Sequence, residues 1–220
     1  MNPWEVLRIY QGVLLRALPG RITKWVVLRP AREGIPQYGT PLCDSPSGVL
    51  TPDAAIWDTS ITSNVDFAAL IAMPGMFGLS GDIAHLCSEA QERLRFYVAF
   101  FKQWREFIFN SVAFLLTPIK LKNVNKGWVA IQLQDIEKTK ALLFIYRLQD
   151  ATEEKFISLR NFSQEAEYIV KLEDGANTIS NIYTGKELIN RGINVRILRK
   201  NNACVYSIVL KQKTGKKEYL

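Results

Sequence analysis

Five aspartates stand where chemistry is usually built. Asp44 ends a short strand-like stretch, Asp53 and Asp58 fall in the long loop Ser45–Ser60, Asp66 opens an apolar helical stretch, and Asp82 closes the run AMPGMFGLSGDI. That run, Ala72–Ile83, is a short apolar strand broken by Gly75, Gly78 and Gly81, and a long amphipathic helix follows it. A strand ending in glycines and an acid just before a helix has the layout of a βα unit. Parallel α/β folds build their active sites at that junction. Carboxylates there suit glycoside hydrolysis, which needs two of them facing one bond, about 5–5.5 Å apart when configuration is retained. Each acid also has a plain structural reading: Asp44 and Asp53 as turn residues, Asp66 as a first-turn helix acid, Asp82 as a loop or cap. Trp57 beside Asp58 either stacks on a sugar face while the carboxylate takes hydroxyls, or plugs its loop onto the fold.

Other chemistries find little support. The glycines of residues 75–81 lack the G-x-x-x-x-G-K-[ST] pattern and a nearby lysine, which argues against a phosphate loop. His85 is the only histidine, so a His-rich metal site is excluded, and no cofactor motif is present. Cys43, Cys87 and Cys204 are odd in number and far apart. They argue against a disulfide framework and for a reducing, cytoplasmic setting. The net charge of +7 collects at the two ends: Arg8, Arg16, Arg21, Lys24, Arg29 and Arg32 near the start, Lys211, Lys213, Lys216 and Lys217 near the finish. Without interleaved aromatics or a nucleic-acid motif this reads as a solvated surface, so no nucleic-acid partner is expected. No secretory signal is expected from the opening residues, and no apolar run is long enough for a membrane span.

The elements that must position these residues fall into two groups. Trp4, Leu7, Tyr10, Leu14 and Leu18 recur at helical spacing, and Ile22–Leu28 is a β-branched strand. Tyr38–Asp44 reads as a short strand leading into the Pro/Gly/Ser/Asp-rich loop, Val65–Ile71 as a packed helix and Met76–Leu79 as a strand. Ser88 and Gln91 have capping-box spacing and open a helix whose apolar stripe is Leu94, Tyr97, Val98, Phe101, Trp104 and Ile108. From Val112 the period changes. Parts of Ile119–Lys122, Trp128–Leu133, Tyr168–Leu172, Ile193–Leu198 and Val205–Leu210 alternate apolar and polar, while Ala141–Tyr146 is continuously apolar. Asn125-Lys-Gly127, Asp174-Gly175, Thr184-Gly185, Arg191-Gly192 and Asn201-Asn202 read as turns between them. Many short strands at this spacing indicate an antiparallel sandwich.

The order of these features resembles the C-terminal part of the family 36 glycoside hydrolases, the melibiase-type α-galactosidases. The matching features are Tyr38-Gly39-Thr40, the loop after it, Ala72–Ile83, Phe100–Ile108 (FFKQWREFI), a sheet domain opening near Val112 with Gly127-Trp128, and Thr184-Gly185-Lys186-Glu187-Leu188. The resemblance covers roughly residues 35–212. It implies an α/β region followed by an all-β one: a partial (β/α)8 barrel, its last βα units, then a C-terminal antiparallel β-sandwich. The implied boundaries are 1–34, a basic helix-turn-strand segment without a counterpart; 35–111, the barrel units; and 112–220, the sandwich. Residues 1–30 are either a divergent piece of barrel or the product of a shifted reading frame. A whole barrel takes about 250 residues.

The family's nucleophile lies in a Lys-Trp-Asp-like motif and its acid/base in a Ser-Asp-Asp/Asn-like motif. Neither is found: Lys24-Trp25 is followed by Val26, and Trp57-Asp58-Thr59-Ser60 falls after the Tyr-Gly-Thr segment instead of before it. The expectation is therefore a glycosidase fragment with no catalytic residue of its own, inactive alone, and with no cofactor or metal. Asp44, Ser45, Trp57, Asp58, Gly81 and Asp82 would line the sugar-binding end. The expected partners are an α-galactoside, the missing N-terminal part of such an enzyme, or further copies of the chain. The other reading is a non-catalytic carbohydrate-binding or assembly module.

Overall fold

The computed structural model describes residues 23–28, 50–52, 65–74, 76–81, 88–118, 126–175 and 179–212. They form mostly antiparallel sheet with few helices. The helix expected over residues 4–18, the strand over 38–44 and the alternation at 119–122 lie outside the described residues, as does the expected loop 45–60 except for residues 50–52, which form a short strand where no regular structure was expected.

The first group contains β1 (Thr23–Leu28), β2 (Leu50–Pro52), α1 (Val65–Ala72), β3 (Met76–Gly81) and α2 (Ser88–Asn110). β1 lies centrally, antiparallel to β2 and parallel to β3, with Thr23 beside Met76 and Leu28 beside Gly81. The apolar VDFAALIA of α1 is buried on nearly all sides, so it packs as an internal helix. On α2, Leu94, Tyr97 and Ile108 of the expected stripe are buried, with Val98, Phe101 and Trp104 half-buried beside them. The apolar sector is wider than the stripe. Phe100 is also buried, its ring 6.2 Å from Phe96 and 6.1 Å from Trp104.

The second group is a six-stranded antiparallel sheet in the order β4-β5-β6-β11-β8-β9, with strands Val112–Leu115, Trp128–Gln134, Lys140–Arg147, Asn202–Leu210, Glu167–Leu172 and Ser180–Thr184. A two-stranded sheet pairs β7 (Glu154–Ile157) with β10 (Ile193–Arg196), and α3 (Gly185–Asn190) connects β9 to β10.

The expected apolar–polar alternation gives way at the centre, where every residue of β5 and all but the first of β6 are buried. The reason is that both faces are covered. Val129, Ile131, Leu133, Leu142, Phe144 and Tyr146 face α1 and α2. Their alternating neighbours Trp128, Ala130, Ala141, Leu143 and Ile145 pack with Ile157, Ile193 and Val195 of the two-stranded sheet and Leu188 of α3.

Thr184-Gly185 is not a turn between strands but the start of α3. Glu187 N–H donates to the Thr184 hydroxyl oxygen, and the Glu187 carboxylate accepts from Thr184 N–H, a complete capping box. The Arg191-Gly192 turn does need its glycine. Gly192 has φ +74°, and a Cβ there would lie 2.2 Å from the Ile157 carbonyl oxygen.

Candidate functional site

Of the expected sugar-binding residues, Gly81 is the last of β3, at the carboxyl end of the parallel β1–β3 pair. Asp44, Ser45, Trp57, Asp58 and Asp82 lie outside the described residues. Asp66 stands in the first turn of α1, as its structural reading had it. Among the described residues, no group of three or more His, Cys, Asp or Glu side chains gathers to hold a metal ion. No described helix is long and apolar enough to cross a membrane.

The described residues do assemble a cleft of about 320 Å³ between the helices and the sheet. One wall is built around Arg93 of α2. Its Nε donates to Asp66 Oδ1 at 2.8 Å, and its Nη2 lies 2.8 Å from the same oxygen. Nη1 donates to the Asp174 carbonyl oxygen at 2.7 Å, and Nη2 sits 3.1 Å from the Asp174 carboxylate. The Tyr97 hydroxyl donates to Asp66 Oδ1 at 3.0 Å and accepts from Arg93 Nη2 at 3.0 Å. One guanidinium thus ties α1, α2 and the segment after β8 together, a use that exploits its planar fork. Burial works against the Arg93 charge, but Tyr97 and the Asp66 and Asp174 carboxylates outweigh it, and the pKa rises. Burial first, then the Asp66 charge, pushes the Tyr97 phenol well above its ordinary value. Both groups keep their protons. Beside them Glu173 accepts from the Ser207 hydroxyl at 2.6 Å and pairs with Lys171 at 3.0 Å.

The opposite wall comes from residues 196–204, between β10 and β11. It rests on Arg147, a buried arginine at the end of β6. Arg147 Nη1 donates to the carbonyls of Ile197 (2.6 Å) and Leu198 (2.7 Å), and Nε and Nη2 donate to that of Asp150. The connection then turns through Asn201 at φ +51°, a conformation asparagine tolerates better than most residues. The Cys204 thiol between the walls stays neutral. Burial raises its pKa, with Asp174 and Asp66 adding to the effect.

Neither Arg93 nor Arg147 could be singled out in the sequence. Asp66, Arg93 and Asp174 meet only through the tertiary fold, and Arg147 sits at the end of an otherwise apolar run.

No family model and no curated protein matches the chain. Solved structures do. The galactosidase domain of an α-galactosidase–sucrose kinase, AgaSK, aligns over 70% of this chain and 20% of its own, at TM-score 0.60 and 19% identity. The fold is that of a part of GH36 α-galactosidases. The GH36 α-galactosidase AgaA from Geobacillus stearothermophilus aligns over the same shares at TM-score 0.59 and 18% identity. The α-galactosidase from Lactobacillus brevis aligns over 69% of this chain and 21% of its own, at TM-score 0.54 and 16% identity. The chain therefore spans about a fifth of the length of the GH36 enzymes it resembles. At these identities the likeness is one of fold.

Proposed function

We propose that this chain is the C-terminal part of an α-galactosidase-like glycoside hydrolase, lacking the catalytic aspartates and inactive alone. The observation that carries the reading is the parallel β1–β3 pair with α1 before β3 and α2 after it, joined to an antiparallel sheet in a GH36-like fold. In this reading residues 35–111 are the closing βα units of a (β/α)8 barrel, and β1, from the segment before them, pairs in parallel with their strand β3. Residues 112–220 are the sandwich, its layers the six- and two-stranded sheets. Gly81 lies at the carboxyl end of β3, the end where such barrels bind substrate. Asp44, Ser45, Trp57, Asp58 and Asp82 belong to that same end, and Trp57 offers a ring face to the sugar.

An incomplete barrel leaves sheet edges and apolar faces that seek cover. The partner we propose is the missing N-terminal part of the enzyme or, without it, further copies of the chain. A monodisperse monomer on a sizing column with sharp thermal unfolding would count against this. Titration with an α-galactoside tests the sugar-binding end. Saturable binding that weakens on both Trp57→Ala and Asp58→Asn is expected, and binding indifferent to both refutes the assignment. The second reading, a non-catalytic carbohydrate-binding or assembly module, draws support from the core that α1 and α2 share with the sheet. It predicts sugar binding or a defined oligomer at every stage without hydrolysis, even when the N-terminal part is supplied.

A further inference from the structure

We infer that strand β9 is a docking edge for a second copy of this chain, the two strands pairing antiparallel about a two-fold axis at Asn181. β9 (Ser180–Thr184) ends the six-stranded sheet and is paired with β8 on one side only. Leu172 N–H donates to the Ile179 carbonyl at 2.9 Å, which fixes the alternation of the ladder. Asn181 and Tyr183 therefore exchange hydrogen bonds with β8, while Ser180 and Ile182 turn their N–H and C=O groups outward. The outward N–H of Thr184 is taken by the Glu187 carboxylate at 2.7 Å. Those of Ser180 and Ile182 meet no partner among the described residues. Proteins ordinarily blunt such an edge with lysine, proline, a bulge or a covering segment. The sequence Ser-Asn-Ile-Tyr-Thr has no charge and no proline, and its register with β8 is unbroken by a bulge. On one face Ile182 stands directly opposite Ile169, the two 54% and 39% exposed.

Charge favours a second copy as the occupant. The chain carries +7, yet the charges on the neighbouring β8 are matched within the chain, Glu167 by Lys211 at 2.8 Å and Lys171 by Glu173 at 3.0 Å. Lys186 and Glu187, just after β9, are of opposite sign. Two copies therefore meet here without repulsion, and a highly charged partner finds little to pair with. Symmetry favours the same occupant, because an edge that pairs antiparallel with itself closes after two copies. With Asn181 on the axis, Ser180 of each copy opposes Ile182 of the other, and the outward N–H and C=O groups of both are satisfied together. The same register extends the Ile169–Ile182 pair into one apolar stripe across both copies. The strand is already set by its ladder to β8 and by Gly185 N–H, which donates to the Ala166 carbonyl at 2.8 Å. Neither copy has to be ordered on docking, as an extended peptide would. A ladder of five residues is small beside the roughly 1,200–2,000 Å² that stable complexes bury, so the dimer is weak and forms as the chain is concentrated.

β9 belongs to the antiparallel sheet, so this contact is independent of the glycosidase reading, whose further copies would cover the barrel units. Its test is sedimentation velocity of the full chain over a dilution series, with Ser180→Pro and Ile182→Lys beside the parent. Ser180→Pro removes an outward N–H and spares the ladder to β8. Ile182→Lys sets like charges on either side of the axis. Each should weaken dimerisation at least about tenfold. Both positions are exposed, so an unchanged melting temperature of the dilute protein is expected for both variants. Asn181→Cys should give a dimer linked through residue 181 on mild oxidation, because a facing, non-hydrogen-bonded pair brings its Cβ atoms within disulfide reach. A parent chain that stays monomeric at every concentration overturns the proposal. So does association that both variants leave unchanged, which would place the contact on other faces, the barrel units among them. Cross-links of oxidised Asn181→Cys that do not run through residue 181 overturn it as well.

Discussion

The two faces of strand β6 are held in different ways. On the far face, Leu143 and Ile145 meet a hydrogen-bonded layer, the β7–β10 pair, whose crossing segment is pinned by polar side chains. Gln132 Nε2 donates to the Arg160 carbonyl at 2.8 Å, its Oε1 accepts from Arg160 N–H at 3.0 Å, and Arg147 fixes the exit of β10. On the near face, Phe144 and Tyr146 meet α1 and α2. Here the partners are helices, and the polar ties among the described residues include the Arg93 cluster and the Tyr146 hydroxyl, which donates to the Leu70 carbonyl at 2.7 Å. Packing alone is non-directional, so on this face a few side chains fix the orientation of whole helices.

Several substitutions would break or sharpen that contrast. Phe144→Ala on the helix face should cost about 3–5 kcal/mol and Ile145→Ala on the other about 2–5 kcal/mol. Chemical denaturation reads both, and hydrogen exchange separates them: Phe144→Ala should expose α1 and α2 first, Ile145→Ala β7 and β10. Arg147→Leu leaves the buried Ile197 carbonyl and the half-buried ones of Leu198 and Asp150 without their donor and should cost about 3 kcal/mol or more. Gly192→Ala forces a left-handed backbone and a clash with the Ile157 carbonyl, a loss of about 2 kcal/mol or more in thermal melts. Arg93→Leu should cost about 1–3 kcal/mol. Its exchange signature is faster protons in α1 and the first turns of α2, with β5 and β6 unchanged.

The smallest effect belongs to the α3 cap. Thr184→Ala should cost about 1 kcal/mol. The Thr184 backbone N–H, and then its hydroxyl, hold the exposed Glu187 carboxyl below its ordinary range. A carboxyl depressed in the folded state contributes stability above its unfolded pKa, and that contribution is lost as pH falls through the folded value. The Thr184→Ala deficit, measured by thermal melts, should therefore be largest near neutrality and shrink in acid.

The sequence made the local elements legible where one period dominates. The α2 stripe, the continuous run of β6 and the glycine and asparagine turns at 192 and 201 could be read directly. It misled where a second layer changes what a face touches. β5 was expected to alternate in part, but both its faces are covered. β7 and β9 carry mostly exposed residues, so no apolar rhythm announces them. At Thr184-Gly185 the turn-like pair concealed a capping box whose second half, Glu187, lies three residues on. The Arg93–Asp66–Asp174 cluster was illegible for a different reason: its partners are far apart in sequence, and only packing brings them together.

The proposed function joins an α-galactosidase-like fold to a lack of the bond-breaking residues. Hydrolysis of an aryl α-galactoside by the purified full chain tests it most directly. The account predicts release of the aryl group no faster than in buffer, for the parent chain and for Asp58→Asn alike. Robust turnover by the parent chain that Asp58→Asn abolishes would contradict it.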